Sequence, residues 1–226
     1  MRSMRSWRMY PGRSAASVFQ KSKVIAVHRW LICDSIGYMP DEIDYPPLTL
    51  PEPPLGDEGF FLRPPSMSDV EIVYRLCQDP SISRFTTIPH PYERVHAIEY
   101  VERAAADWDS GMGASFVIVS NSNEVIGTIS VFRTANSGTA EIGYWVAADA
   151  RGQGIASRAV RLVSRWSIQT MNLARLQLGT NRENFASQRV AEKAGFKYEG
   201  LLRNWREIRG ERVDEVHFSL IPSDLE

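Results

Sequence analysis

Between Val146 and Ile155 the chain changes period, and no other feature restricts its fold as strongly. Upstream, residues 115–119, 124–132 and 139–146 are rich in β-branched and aromatic side chains, and the turn-forming stretches 120–123 and 135–138 separate them. This is the pattern of an antiparallel meander. Downstream, Ile155, Ala159, Leu162, Val163 and Trp166 recur at three- and four-residue steps, the apolar stripe of an amphipathic helix. A sheet followed at once by a helix with an apolar stripe buries both by packing one on the other.

The same reading extends both ways from this junction. Phe60 to Arg63 reads as a strand stopped by Pro64 and Pro65, after which Ser68 is expected to cap a helix bearing Val70, Val73, Tyr74 and Cys77 on one face. Pro80 is expected to end that helix, and a Ser-, Thr- and Pro-rich loop to follow. Val95, Ile98, Val101, Ala105 and Trp108 mark a second helix, with Gly111 and Gly113 closing it. After the long helix come a strand over 175–180, a short helix over 184–194 ended by Gly195, and a hairpin about Arg209 and Gly210. Its last arm points Val216, Phe218 and Leu220 inward and His217 and Ser219 outward. The expected fold class is α/β (α+β), a mixed, largely antiparallel central sheet flanked by helices. Trp108, Tyr144, Trp145 and Trp166 are expected to build its core.

At 226 residues and 43% hydrophobic content, the chain supports one main domain, read here as 59–226. Residues 1–58 read as an extension, first basic and then proline-rich. Arg2, Arg5, Arg8, Arg13, Lys21, Lys23 and Arg29 stand against Asp34 alone, while prolines at 40, 46, 47, 51, 53 and 54 exclude a helix or central strand. Met39 is a plausible functional start, and the proline-rich stretch a linker or extended wrap. The rest of the chain is acidic, which argues against nucleic-acid binding and favours cationic substrates. Cys33 and Cys77 lie far apart, and neither His96 nor His217 has a carboxylate or cysteine at ligand spacing. Neither a disulfide framework nor a metal site is expected. The longest apolar stretch is broken by His28, Arg29 and Asp34, so no membrane association is expected and a cytoplasmic location is.

Two strand-to-helix junctions carry the chemistry. Arg151-Gly152-Gln153-Gly154-Ile155-Ala156 places small residues at a helix start, where unpaired N–H groups and a partial positive charge suit a phosphate. The order departs from both the nucleotide-hydrolysing P-loop and the dinucleotide fingerprint. Thr180 to Phe196 forms the second junction, with Asn184 in position to cap its helix. Both helix starts follow strands of one sheet and can face one crevice at the strand ends.

Arg151-x-x-Gly154-x-Ala156, preceded by Glu141-Ile142-Gly143-Tyr144-Trp145-Val146 and followed by Asn181 to Phe196, resembles the acyl-CoA-binding core of the GNAT N-acetyltransferase superfamily. Within it, the chain is most similar to the ribosomal-protein N-terminal (alanine/serine) acetyltransferase group. The resemblance covers about 59–220. It implies acetyl-CoA as co-substrate, its pyrophosphate held by backbone N–H groups of Arg151, Gly152, Gln153, Gly154, Ile155 and Ala156. It also implies that the strand from Glu141 to Val146 pairs with the pantetheine arm, that Asn184 and Ser187 lie beside the thiol, and that an N–H near Val146 stabilises the oxyanion. The implied reaction is direct attack by a primary amine in a ternary complex.

That amine is either a protein N-terminal α-amine or a small-molecule amine. An α-amine is already about a tenth neutral at pH 7 and a lysine less than about a thousandth, a difference on the order of 4 kcal/mol, so only a lysine enzyme needs a strong base. Glu141 is the first candidate base, its carboxylate expected to be raised by partial burial, and Ser187 the candidate partner of the leaving thiolate. Glu207 is a weaker base candidate, since similar enzymes carry an acid near the position held here by Arg206. Cys77 reads as a core residue and His90 as a solvated loop histidine. The alternative is a non-catalytic CoA-binding sensor or interaction module. A homodimer is left open.

Overall fold

The computed structural model describes residues 44–225. The basic head, Cys33 and Met39 lie outside them. The chain runs through β1 (Gly56–Asp57), β2 (Phe60–Arg63), α1 (Val70–Leu76), α2 (Pro80–Phe85), α3 (Arg94–Asp109), β3 (Gly113–Ser120), β4 (Val125–Arg133), β5 (Thr139–Val146), α4 (Ile155–Thr170), β6 (Arg175–Asn181), α5 (Phe185–Lys193), β7 (Lys197–Ile208) and β8 (Glu211–Leu220). The strands form one sheet in the order β1-β2-β3-β4-β5-β6-β8-β7. Every neighbouring pair is antiparallel except β5 and β6. This is the mixed, largely antiparallel sheet that the change of period predicts.

Two local expectations are corrected. Pro80 does not end a helical region but opens α2: Asp79 caps it by accepting the Ser81 amide, and proline at the first helical position lacks only an N–H that would have had no partner. The residue at the N-cap of α1 is Asp69 rather than Ser68, because a short 3-10 turn over Met67–Asp69, which begins at Ser66, runs straight into that helix.

The sheet is covered on both faces. On one, Phe116, Ile129, Ile142, Leu178 and Phe218 pack with Ala159, Val163 and Trp166 of α4, and the rings of Trp108, Phe116 and Trp166 meet at 5.3 to 5.5 Å. On the other, α1 supplies Val70 and Val73, its C-cap Cys77, and α3 Ala97 and Val101, with Trp145 partly buried against them. Burial pushes the Cys77 thiol up to about 12, which leaves no thiolate at neutral pH. Farther along the sheet that second face turns polar, with Gln177 opposite Ser219 and Gly179 opposite His217.

The stretch ahead of β2 is laid against the domain. Leu48 donates its amide to the Trp108 carbonyl at 2.9 Å, Leu48 and Leu55 pack on the main core, and the Arg133 guanidinium lies 3.8 Å from the centre of the Tyr45 ring.

Candidate active site

Strands β5 and β6 are in register over only three residues, Thr139 with Arg175, Ala140 with Leu176 and Glu141 with Gln177. Beyond Glu141, β5 keeps β4 alone as its partner, and β6 beyond Gln177 keeps β8 alone. The strands therefore part and leave a cleft that opens at their carboxyl ends. Ala147 donates its amide to Ile126 at 2.8 Å. By the alternation of an antiparallel ladder, the N–H and C=O groups of Ile142, Tyr144 and Val146 then point away from β4 into the cleft. That edge is a template for an extended, amide-bearing chain.

At the mouth of the cleft stands the start of α4. Gly152 and Gly154 hold φ of +77° and +75°, which only glycine adopts without strain. A Cβ on Gly152 would meet nothing within 4 Å, and one on Gly154 would only reach Ser157 Oγ at 4.0 Å, so the space above the loop is open. The first helical bond runs from the Arg158 amide to Gly154 O at 3.2 Å, and the helix supplies no carbonyl to the amides ahead of it. Its first turn holds no acidic residue, so the partial positive charge there is uncompensated by a side chain.

The side chains of this loop are anchored elsewhere. Arg151 Nε donates to Val146 O at 2.9 Å, Nη1 to Ser81 Oγ at 2.8 Å and Nη2 to Asp79 Oδ2 at 2.9 Å. Gln153 donates to Asp149 O at 3.1 Å. Ile155 is buried and Ala156 packs on the core. What the loop offers is backbone, with the small and open surface that a pyrophosphate requires.

The second helix start lies across the cleft. Asn184 Oδ1 caps α5 by accepting the Ser187 amide at 3.1 Å. Ser187 Oγ lies 2.9 Å from the Tyr144 hydroxyl, so the pair ties β5 to α5. Burial drives the Tyr144 phenol up to about 12, with the Ser187 hydrogen bond opposing part of the rise. Tyr144 was expected to build the core; it lines that core but is spent on Ser187. A hydroxyl among the inward-facing Ala140, Ile142 and Val146 needs a partner, and that was the available signal.

On the opposite face of β5 the chemistry is ionic. Glu141 Oε1 receives Arg206 Nη2 at 2.9 Å, and Oε2 lies 3.4 Å from the Gln177 amide nitrogen. Arg206 Nε sits 2.7 Å from Glu215 Oε1, an ion pair whose N–H is too poorly aligned to count as a directed hydrogen bond. Glu215 Oε2 in turn lies 3.2 Å from His217 Nε2, and Trp205 stands edge-on to His217 at 5.4 Å. Burial alone would favour a neutral Arg206, but Glu141 and Glu215 outweigh it and keep the guanidinium charged. Glu141 is thus a carboxylate paired with Arg206, a partner that the sequence reading did not give it.

A bulge puts Arg206 there. Leu202 pairs with Glu215 and Arg206 with Val213, so residues 203–205 of β7 face only Asp214 of β8. Asn204 adopts φ +50° and donates its amide to Asp214 Oδ1 at 3.0 Å. Bulges re-aim side chains in this way. Glu207 is exposed and lies 3.7 Å from Arg212. Arg209 at the β7–β8 turn reaches Ile88 O at 3.3 Å, so the loop after α2 adjoins this face; His90 on that loop is exposed. Sequence reasoning missed Glu215 and His217 as site residues. Both sit on a strand whose outward positions read as ordinary solvent-facing ones.

Among the described residues no group of three or more His, Cys, Asp or Glu could hold a metal ion, and no helix is long and apolar enough to cross a membrane. Residues 60–197 match the acetyltransferase (GNAT) domain family. The uncharacterized N-acetyltransferase p20 of Bacillus licheniformis is 29% identical over 167 residues, covering 73% of this chain and 93% of that one. The ribosomal-protein-serine acetyltransferase of Escherichia coli is 33% identical over 105 residues, 46% of this chain and 58% of its own length. Among solved structures, RimL, a ribosomal L7/L12 α-N-protein acetyltransferase in complex with coenzyme A, shares the fold with a TM-score of 0.68 at 21% identity, over 75% of this chain and 97% of that one.

Proposed function

The chain belongs to the acetyltransferase (GNAT) domain family, and from that premise we propose that it transfers an acetyl group from acetyl-CoA to the α-amine of a protein N terminus. The observation that carries this reading is the cleft between β5 and β6, with helix starts on both of its sides. Acetyl-CoA, when bound, supplies the thioester. The backbone from Arg151 to Ala156 receives the pyrophosphate, the free edge of β5 from Ile142 to the Val146 N–H receives the pantetheine amides, and Asn184 borders the thiol. The Val146 N–H, aimed into the cleft, polarises the thioester carbonyl.

Ser187 and Tyr144 act on the leaving sulfur. A phenol held at about 12 gives its proton to an ordinary thiolate near 8.5 only uphill, by about 5 kcal/mol. The pair therefore stabilises the thiolate by hydrogen bonding from Ser187, backed by Tyr144, and full protonation follows from solvent, which balances the proton the attacking nitrogen gives up as the amide forms.

The acceptor approaches the other face of β5. There two carboxylates, Glu141 and Glu215, outnumber Arg206, and an excess of negative charge suits an ammonium. Glu141 takes the proton from the amine directly or through one water. Because both of its oxygens already have nitrogen partners, it suits an amine that is partly neutral at pH 7 better than a lysine. The names of the Escherichia coli relative and of RimL support the same substrate class, and the compartment it implies is the cytoplasm.

The test is thiol release from acetyl-CoA across N-terminal peptides, lysine peptides, polyamines and aminoglycosides, with a blank lacking amine. Release is expected with free N-terminal peptides and not with N-acetylated ones. Glu141→Gln should lower kcat about 10- to 100-fold and leave acetyl-CoA affinity unchanged. Release with small amines alone would give a small-molecule acceptor, and binding of acetyl-CoA without release to any amine would favour a sensor.

A further inference from the structure

Two glycines of the sheet have no room for a side chain. A Cβ on Gly127 would lie 2.5 Å from Trp145 O and one on Gly113 2.7 Å from Val131 O, both backbone atoms. The fold dictates these glycines. Gly143, in the middle of β5, answers to no such demand. Its φ is not positive, its surface is exposed, and a Cβ there would meet nothing within 4 Å. Glycine inside a strand weakens it, and where packing does not require one it marks close approach of a ligand or another backbone.

The position of Gly143 says what would approach. Side chains alternate along β5, so Gly143 shares its face with Glu141 and Trp145, opposite the face from which Tyr144 reaches Ser187. Glu141 and Trp145 stand on either side of it, and its neighbours Ile142 and Tyr144 present their backbone groups to the cleft. The result is a notch with a backbone floor between the acidic cluster and the cleft edge.

We propose that Gly143 is a specificity-determining residue: its bare backbone is the floor over which the first residue of the acceptor chain passes to bring its α-amine to the thioester. The inference rests on the acetyltransferase reading and adds the path of the acceptor to it. A methyl at 143 narrows the notch, and an isopropyl group closes it to a peptide terminus. The cofactor-facing side of β5 is untouched by either.

The experiment compares full-length wild type, Gly143→Ala and Gly143→Val, with Gly127→Ala as the contrasting fold-required glycine. Melting temperature, acetyl-CoA affinity by calorimetry, and kcat/KM for a panel of free N-terminal peptides are measured for each. Both Gly143 variants should melt at or above the wild-type temperature and hold acetyl-CoA within about twofold. They should lose acceptor kcat/KM by about tenfold for alanine and about a hundredfold for valine, as expected when a reacting group is displaced by about 1 Å. Gly127→Ala should instead melt lower. Undiminished acceptor kcat/KM in both Gly143 variants, with wild type active, overturns the role of Gly143 alone. A wild-type protein that acetylates no peptide of the panel overturns the N-terminal acceptor reading and this proposal with it.

Discussion

The two faces of β5 are built from different materials. The side proposed for the cofactor is backbone: amides at the start of α4, the free edge of β5 from Ile142, and short side chains whose polar atoms are tied to neighbours, as Asn184 is to Ser187. The side proposed for the acceptor is charge: Glu141, Arg206, Glu215 and His217 linked in series across three strands. Backbone donors keep their direction whatever side chain sits above them, so that side tolerates changes of side chain and fails when φ is changed. The ionic side tolerates small changes of backbone and fails when one member is removed and its partner is left buried without a counter-ion.

The sharpest way to break this comparison is at Gly154. Valine is a poor fit to φ +75° and would push the loop out of shape, so Gly154→Val should weaken acetyl-CoA binding by more than about a hundredfold by calorimetry, on the order of 3 kcal/mol. Gln153→Ala, its side chain bound only to Asp149 O, should change affinity less than about threefold. Equal losses in the two variants would mean that the loop binds through side chains after all.

A smaller effect is expected at the pair that spans the cleft. Ser187→Ala should reduce kcat about tenfold, and Tyr144→Phe less. If Tyr144 acts through Ser187, the double variant should be no slower than Ser187→Ala, the non-additivity expected of groups in one chain of hydrogen bonds. Additive losses would give Tyr144 a contact of its own with the substrate.

The smallest effect concerns stability away from both faces. Burial by itself would raise the Asp69 carboxyl, but hydrogen bonds from Arg63, the Ser66 amide and the Ser66 hydroxyl outweigh it and hold it below the ordinary range. A depressed folded pKa means that this stabilisation is complete above the unfolded value near 3.9 and is lost as pH falls through the lower folded value. Asp69→Asn should therefore lower the melting temperature at pH 7 by a few degrees. It should also flatten the fall of melting temperature below about pH 4, with kcat unchanged.

The elements that sequence located well are those whose cause is local. The expected strand over 139–146 and the stripe from Ile155 to Trp166 match β5 and α4, and Gly195 holds φ +96° just past α5, because periodicity and positive φ are properties of a few consecutive residues. Pro80 misled because proline both ends and begins helices, and only the cap from Asp79 says which. Tyr144 reads as a core residue because large aromatic side chains are usually buried. That preference does not say that a serine 43 residues later will stand 2.9 Å from its hydroxyl.

What the sequence determined by itself is therefore the side proposed for the cofactor: a strand, a glycine turn and a helix start that are contiguous in the chain and carry their chemistry in the backbone. Only the tertiary structure decided the side proposed for the acceptor. Glu141 meets Arg206 because β8 lies between β6 and β7 in the sheet and because a bulge opposite Asp214 re-aims β7. Charges so far apart in sequence become partners through strand order and register, which depend on the whole packed sheet rather than on any short run of residues.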